Sequence, residues 1–182
     1  MFITKVNGEN IKKRKLTIRK CRIKDVDMLI KFQDDVMENI ENKKTWGGYE
    51  YDDIVKLINN DEYIELYYDN DVFVGFIILI VKDHKYKLND VDNGEVGVCG
   101  GVMVAPAYWG NGLQKQMSKR LEKKAIEKGC KYIIATVSPD NVYSYNNLMS
   151  LGYEIVGEKD MKKGYRYILS KELENSRYAI SA

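Results

Sequence analysis

The segment 95–129 constrains this chain more than any other, because an apolar run there breaks into a tight glycine turn and resumes as a long amphipathic helix. Residues 98–104 read as a strand and Ala105-Pro106-Ala107-Tyr108-Trp109 as a turn. Gly110-Asn111-Gly112 follows, and a helix starts near Leu113. Pro106 stops the strand, since proline has no N–H for a ladder. Glycines let successive backbone N–H groups converge on one concavity, and the helix N-terminus adds the positive end of its dipole. That combination suits an anion, phosphate above all, although an ordinary strand-to-helix connection has the same outline. Two common phosphate signatures fail. A Walker loop needs Lys and Ser/Thr after the last glycine, where Leu113-Gln114 stand. A dinucleotide fingerprint needs a third glycine, where Lys115 stands, and no acidic residue ends a following strand at the right distance.

The run Val102-Met103-Val104-Ala105-Pro106-Ala107-Tyr108-Trp109-Gly110-Asn111-Gly112-Leu113-Gln114 resembles the acyl-CoA-binding segment of the GNAT superfamily of acetyltransferases. That segment reads approximately V-x-V-x-P-x-Y-R/Q-G-x-G-I/L-G/A. Downstream, Asn141 opens a helix that closes at Leu151-Gly152-Tyr153, which is similar to the superfamily's second signature, Asn-x-x-Ala/Ser followed by a Gly-aromatic pair. The likeness covers residues 16–170 and is strongest over 95–160. Trp109 stands where Arg or Gln is usual, which removes a side-chain donor for the pyrophosphate but leaves the backbone cradle. Gln114 replaces a small residue, a variant that resembles a bacterial branch of the superfamily. Leu148 occupies the helix position that often carries the tyrosine protonating the departing thiolate.

The resemblance implies a mixed α/β fold, a central mixed sheet flanked by helices in which two parallel strands splay apart. The pantetheine arm of acetyl-CoA would lie in the gap and satisfy backbone groups that a splayed pair leaves unpaired. It further implies that Val102, Met103 and Val104 line the pantetheine. Trp109 and the N–H groups of Gly110, Asn111, Gly112, Leu113 and Gln114 would meet the pyrophosphate, and Asn141 and Ser144 would also touch the cofactor. Lys115 either adds a charge there or is a solvated helix lysine, and Asp140 and Asn141 also suit plain helix capping.

Acetyl transfer to an amine needs a held cofactor, a polarised carbonyl, a neutral amine and a proton for the thiolate. A backbone N–H near Val104 is the expected polariser. Glu95 is the candidate base, directly or through water, because an amine with a pKa of about 10 must first lose a proton; it also reads as an exposed turn residue after Asn93-Gly94. Tyr145, on the helical face of Leu148 and three residues before it, is the candidate acid, with aromatic packing as its alternative. Trp46 and Tyr49, flanking Gly47-Gly48, are expected either to meet the acceptor or to anchor their loop.

A chain of 182 residues is expected to be one domain, 1–182, with 1–15 as a polar basic flank. Cys21, Cys99 and Cys130 form neither a disulfide framework nor a metal knuckle, so no metal is expected. Residues 1–14 are too polar for a signal peptide and no apolar run reaches spanning length, which points to a cytoplasmic protein without a membrane partner. The net charge of +2 conceals a segregation: residues 1–24 carry nine Lys/Arg against one Glu, whereas residues 25–95 carry seven against eighteen Asp/Glu. In the GNAT fold the acceptor side is built from that acidic part. It would favour a cationic acceptor such as a polyamine, an aminoglycoside-like amine or a lysine side chain, or else it is simply a solubilising surface. The basic start lacks interleaved aromatics, so no nucleic-acid partner is expected. Strands are predicted over 16–19, 63–68, 72–81, 95–104, 132–137, 153–159 and 165–169, and helices over 25–36, 51–59, 113–128 and 141–151. His84, between Asp83 and Lys85, reads as a surface residue. The resulting expectation is a cytoplasmic acetyl-CoA-dependent N-acetyltransferase, monomer or homodimer, acting on a small cationic amine. The alternative, favoured by Leu148 and Trp109, is a non-catalytic acyl-CoA-binding or regulatory module of the same fold.

Overall fold

The computed structural model describes residues 1–82, 84–86, 88, 92–161 and 164–173. Its first element is a hairpin. Asn7 and Gly8 take positive φ values of 50° and 81°, the left-handed pair whose twist suits a two-residue β-turn. Strand β1 (Phe2–Val6) therefore folds back on β2 (Glu9–Lys15) as a separate two-stranded sheet. The polar basic flank expected at 1–15 is thus built of two strands and packs on the rest of the chain: Ile3 is fully buried, and Arg14 Nη2 lies 2.7 Å from Asp69 Oδ2.

The main sheet comprises β3 (Thr17–Lys20), β4 (Tyr63–Asp69), β5 (Val72–Ile80), β6 (Val96–Val104), β7 (Tyr132–Val137), β8 (Glu154–Met161) and β9 (Gly164–Glu172). Its order is β3-β4-β5-β6-β7-β9-β8, antiparallel throughout except for β6 and β7. Parallel neighbours need a crossover, which α3 (Leu113–Glu127) provides. The other helices are α1 (Val26–Glu38), α2 (Tyr51–Asn59) and α4 (Val142–Met149).

Alternation along the strands gives each face its own core. Ile64, Leu66, Phe76, Ile78 and Met103 meet Val26, Leu29, Ile54 and Leu57 of the α1–α2 layer. On the opposite face Tyr67, Val74, Ile77 and Leu79 meet α3, whose Leu113, Met117, Leu121 and Ala125 recur every fourth residue and are at most 2% exposed. Burying leucine and methionine side chains stabilises by roughly 1.5–3 kcal/mol each, which holds α3, and with it the loop before it, against the sheet.

Glu65 is among the charges buried at the α3 face. Arg120 donates from Nε and Nη2 to the two oxygens of Glu65, each at 2.6 Å, while the Tyr67 hydroxyl donates at 2.7 Å and the Tyr63 hydroxyl bonds the same carboxylate. Burial pushes the Glu65 carboxyl up, but these bonds outweigh it and hold the group below its ordinary range. His84 also departs from expectation, being half-buried with Nε2 at 2.9 Å from the Val96 carbonyl oxygen. All three cysteines are free. Among the described residues no helix is long and apolar enough to cross a membrane, and no cluster of three His, Cys, Asp or Glu is placed to hold a metal.

Candidate active site

Strands β6 and β7 run together only over Val96↔Tyr132, Gly97↔Ile133, Val98↔Ile134 and Cys99↔Ala135. Beyond Cys99, β6 continues to Val104 still paired with β5, through Ile77↔Val102, Phe76↔Met103 and Gly75↔Val104, but no longer with β7. The two strands fork. At the vertex, Ile78↔Gly101 and Leu79↔Cys99 leave Gly100 as an extra residue, a bulge that bends β6 away from its neighbour. The Ala105 N–H donates to the Val74 carbonyl at 2.8 Å. By antiparallel alternation, Val102 and Val104 then turn their N–H and C=O groups away from β5, toward the open side of the fork. The Val104 carbonyl accepts there from the Trp109 indole N–H at 2.9 Å. Met103 instead sends its side chain into the α1–α2 core.

The glycine loop closes the wide end of the fork. Gly110 and Gly112 have φ values of 80° and 63°, and a Cβ at either would meet nothing within 4 Å, so the space before the loop is open. The first α3 bond runs from the Gln116 N–H to the Gly112 carbonyl at 3.1 Å. The N–H groups of Leu113, Gln114 and Lys115 precede it and lack helical acceptors. Gln114 ties α3 to α4: its Nε2 donates to Ser144 Oγ at 3.1 Å, and its Oε1 accepts from Asn147 Nδ2 at 2.7 Å. Asn141 caps α4 by accepting from the Ser144 N–H at 3.1 Å, which leaves its amide NH2 as the group available to a ligand.

On the α1–α2 face, two aromatics sit over two glycines of β6. Tyr49 donates its hydroxyl to the Gly100 carbonyl at 2.9 Å, and an added Cβ would lie 2.6 Å from that hydroxyl at Gly100 and 2.4 Å from the Trp46 ring at Gly101. Buried Gln33 fixes both. Its Oε1 accepts from Trp46 Nε1 at 3.2 Å and from the Tyr49 N–H at 2.8 Å, while its Nε2 donates to the Tyr49 carbonyl at 3.1 Å. Sequence reasoning missed Gln33, whose only signal was a polar residue on the apolar stripe between Leu29 and Val36. The loop then spans the fork, with Asn42 Nδ2 donating to Asp140 at 2.9 Å and Arg166 donating to the Lys44 carbonyl at 2.5 Å. Burial pushes the Tyr49 phenol well above its usual range and the Cys99 thiol, at the vertex, up to about 12.

The two candidate catalytic residues fare differently. Tyr145 packs its ring against Tyr167 at 5.9 Å, and Tyr167 is the partner of Val137 at the end of β7, so it stands beside the fork. Leu148 is buried in the α3 core. Glu95 is not brought to the fork. It lies in a single turn before β6, paired with Lys131 at 2.5 Å, seven residues from Val102 and thus about 23 Å along the strand at roughly 3.3 Å per residue. The parallel ladder is closed at that end and open at the other. Glu95→Gln is accordingly expected to leave turnover within about twofold of wild type, since it removes only a half-exposed ion pair. A rate loss of tenfold with unaltered cofactor affinity would return Glu95 to the chemistry.

Residues 29–153 match the profile of the acetyltransferase (GNAT) family. Over 83 residues the chain is 29% identical to an aminoglycoside N(6')-acetyltransferase type 1 of Salmonella typhimurium. The matched stretch is 46% of this chain and 56% of that protein, so the chain spans little more than half the length of the curated relative. Among solved structures, a GNAT-family acetyltransferase from Streptococcus pneumoniae superposes with a TM-score of 0.69 at 17% identity, over 88% of this chain and 100% of that one. A Salmonella typhimurium protein solved with its cofactor acetyl-CoA gives 0.66 at 16% identity, over 89% and 96%. At those identities the likeness is one of fold.

Proposed function

Because the chain belongs to the acetyltransferase (GNAT) family, we propose that it transfers an acetyl group from acetyl-CoA to the primary amine of a small cationic acceptor by direct attack. The observation that carries this reading is the fork itself: a strand edge without a partner strand at Val102 and Val104, where the Val104 carbonyl meets the Trp109 indole, that leads to a glycine loop and a helix N-terminus. Such an edge is costly unless a ligand completes it, and pantetheine, with its two amides, can bond to it as an added strand would. The pyrophosphate then meets the N–H groups of Gly110, Asn111, Gly112, Leu113 and Gln114, with Trp109 and Lys115 beside it and Asn141 reaching the pantetheine through its free NH2.

Acetyl-CoA supplies the activated acyl group. An unpaired β6 N–H on the fork edge polarises the thioester carbonyl, the amine lone pair attacks the carbonyl carbon, and the C–S bond breaks. The acceptor ammonium loses one proton to water before it attacks; after attack the nitrogen gives up a second, which replaces the proton that the Tyr145 hydroxyl hands to the departing thiolate. Trp46 and Tyr49, standing over Gly100 and Gly101 on the opposite side from α3, form the wall that the acceptor meets. Residues 38–53, which include their loop, carry Glu38, Glu41, Glu50, Asp52 and Asp53 against Lys43 and Lys44, a net negative charge that favours a cation. The named activity of the aminoglycoside-acetylating relative supports an acceptor of that charge.

The test is to incubate the purified protein with acetyl-CoA and a panel of polyamines, aminoglycosides and lysine peptides while following free thiol. Thiol release that requires a cationic amine is the expected result. Calorimetric binding of CoA with no release from any amine would instead identify an acyl-CoA-binding module, and no binding of CoA would overturn the site.

A further inference from the structure

The N-terminal hairpin is bonded to the glycine loop and its flanks at several points. Asn111 is the centre of the contact. Its Oδ1 accepts from the N–H groups of Thr4 at 2.8 Å and Lys5 at 3.0 Å, and its Nδ2 donates to the carbonyls of Lys5 and Tyr108, both at 2.9 Å. An asparagine amide offers two lone pairs and two N–H bonds, so its capacity is filled and its side chain has nothing left for a ligand. Two further ties flank it. The Asn7 N–H donates to the Ala107 carbonyl at 2.7 Å, before the glycines. Past them, Gln116 donates to the Asn111 carbonyl at 3.2 Å while its Oε1 accepts from the Phe2 N–H at 3.4 Å. The second strand adds Arg14, whose partner Asp69 also accepts from the Tyr108 hydroxyl at 3.2 Å.

We propose that the β1–β2 hairpin is a brace that holds the Gly110–Gly112 loop in its phosphate-ready shape, with Asn111 as the positioning residue that couples the two; this rests on the acetyl-CoA reading of the loop. Two glycines with positive φ give the loop its shape but also the widest choice of other shapes. A loop free to sample them would have to be ordered by the ligand, and that ordering would subtract from affinity. The brace orders the loop beforehand. Asn111 thus contributes its backbone N–H to the phosphate and its side chain to the hairpin.

Two variants test this from opposite ends. Gly8→Val strains the hairpin turn at its φ of 81°, where an added Cβ meets nothing and where no ligand is expected. Asn111→Ala keeps the turn intact and removes the four side-chain bonds. CoA affinity is measured by calorimetry on the full chain, beginning with wild type, with far-UV circular dichroism to confirm folding and amide exchange to follow residues 110–114. Each variant is expected to weaken CoA binding by about tenfold, to raise the KM for acetyl-CoA more than it lowers kcat, and to speed exchange in the loop but not in β6. The double variant should be no weaker than the worse single one, because both act on one device. Folded variants that bind CoA as wild type does would overturn the brace. A wild-type protein that does not bind CoA would overturn the acetyl-CoA reading itself, and that result comes before any variant is compared.

Discussion

Gly112→Asp is expected to abolish productive acetyl-CoA binding, with CoA affinity falling by about a hundredfold or more. The position is the residue before α3, at φ 63°, where an added Cβ would meet nothing within 4 Å. Aspartate tolerates that left-handed conformation better than most residues, so the chain should still fold. Its carboxylate would then occupy the space assigned to the pyrophosphate. Two unit charges about 4 Å apart at an effective dielectric of about 20 repel by about 4 kcal/mol, more than the roughly 2.7 kcal/mol that a hundredfold represents. Calorimetry with CoA, alongside circular dichroism, checks it. A folded Gly112→Asp protein with wild-type affinity would remove the loop from the cofactor site.

Arg120→Ala should produce the largest loss of stability. Glu65 keeps only 5% of its side chain exposed and would be left with two tyrosine hydroxyls as its partners. Breaking a buried ion pair by removing one partner costs about 3–5 kcal/mol; Arg120 is itself 35% exposed, which places this case at the lower end. For a domain of this size about 3 kcal/mol lowers Tm by roughly 6–12 °C. The sign of the pH dependence follows from the depressed Glu65 carboxyl. Its stabilisation is complete above the unfolded value of about 4.3 and is lost as pH falls through the lower folded value. The gap between wild type and variant should therefore narrow on acidification. Denaturant titrations at neutral and acid pH measure it, and a loss below about 1 kcal/mol at neutral pH would mean that solvent already screens the pair.

The centre of the chain was legible because its signals are local. Pro106 and the glycines at 110 and 112 punctuate strand and helix, and the four-residue spacing from Leu113 to Ala125 defines the buried face of α3. The fork was legible only through resemblance, since a place where hydrogen bonds are missing leaves no periodicity. The distance of Glu95 from the fork was hidden for a related reason: β6 is continuous in sequence, and nothing in its residues shows that its pairing with β7 closes at the start and opens at the end. In the first fifteen residues the lysines and arginine drew attention to charge, while Asn7-Gly8, a strong hairpin signal, stood between Phe2, Ile3, Val6 and Ile11. Trp46 and Tyr49 were recognisable as loop aromatics. That they rest on Gly100 and Gly101 depends on a fifty-residue separation that only the folded chain reveals.

The fork also bears on how long the protein survives. If acetyl-CoA completes the sheet over Gly100–Val104, as proposed, the folded population is linked by mass action to the cofactor. At a free concentration a hundred times Kd, the gain is about 2.7 kcal/mol, enough to cut the unfolded fraction by about a hundredfold. Degradation that draws on the transiently opened chain would slow by a similar factor when acetyl-CoA is plentiful and quicken when it is scarce. The abundance of the protein would then follow the acyl-donor supply with no separate regulator.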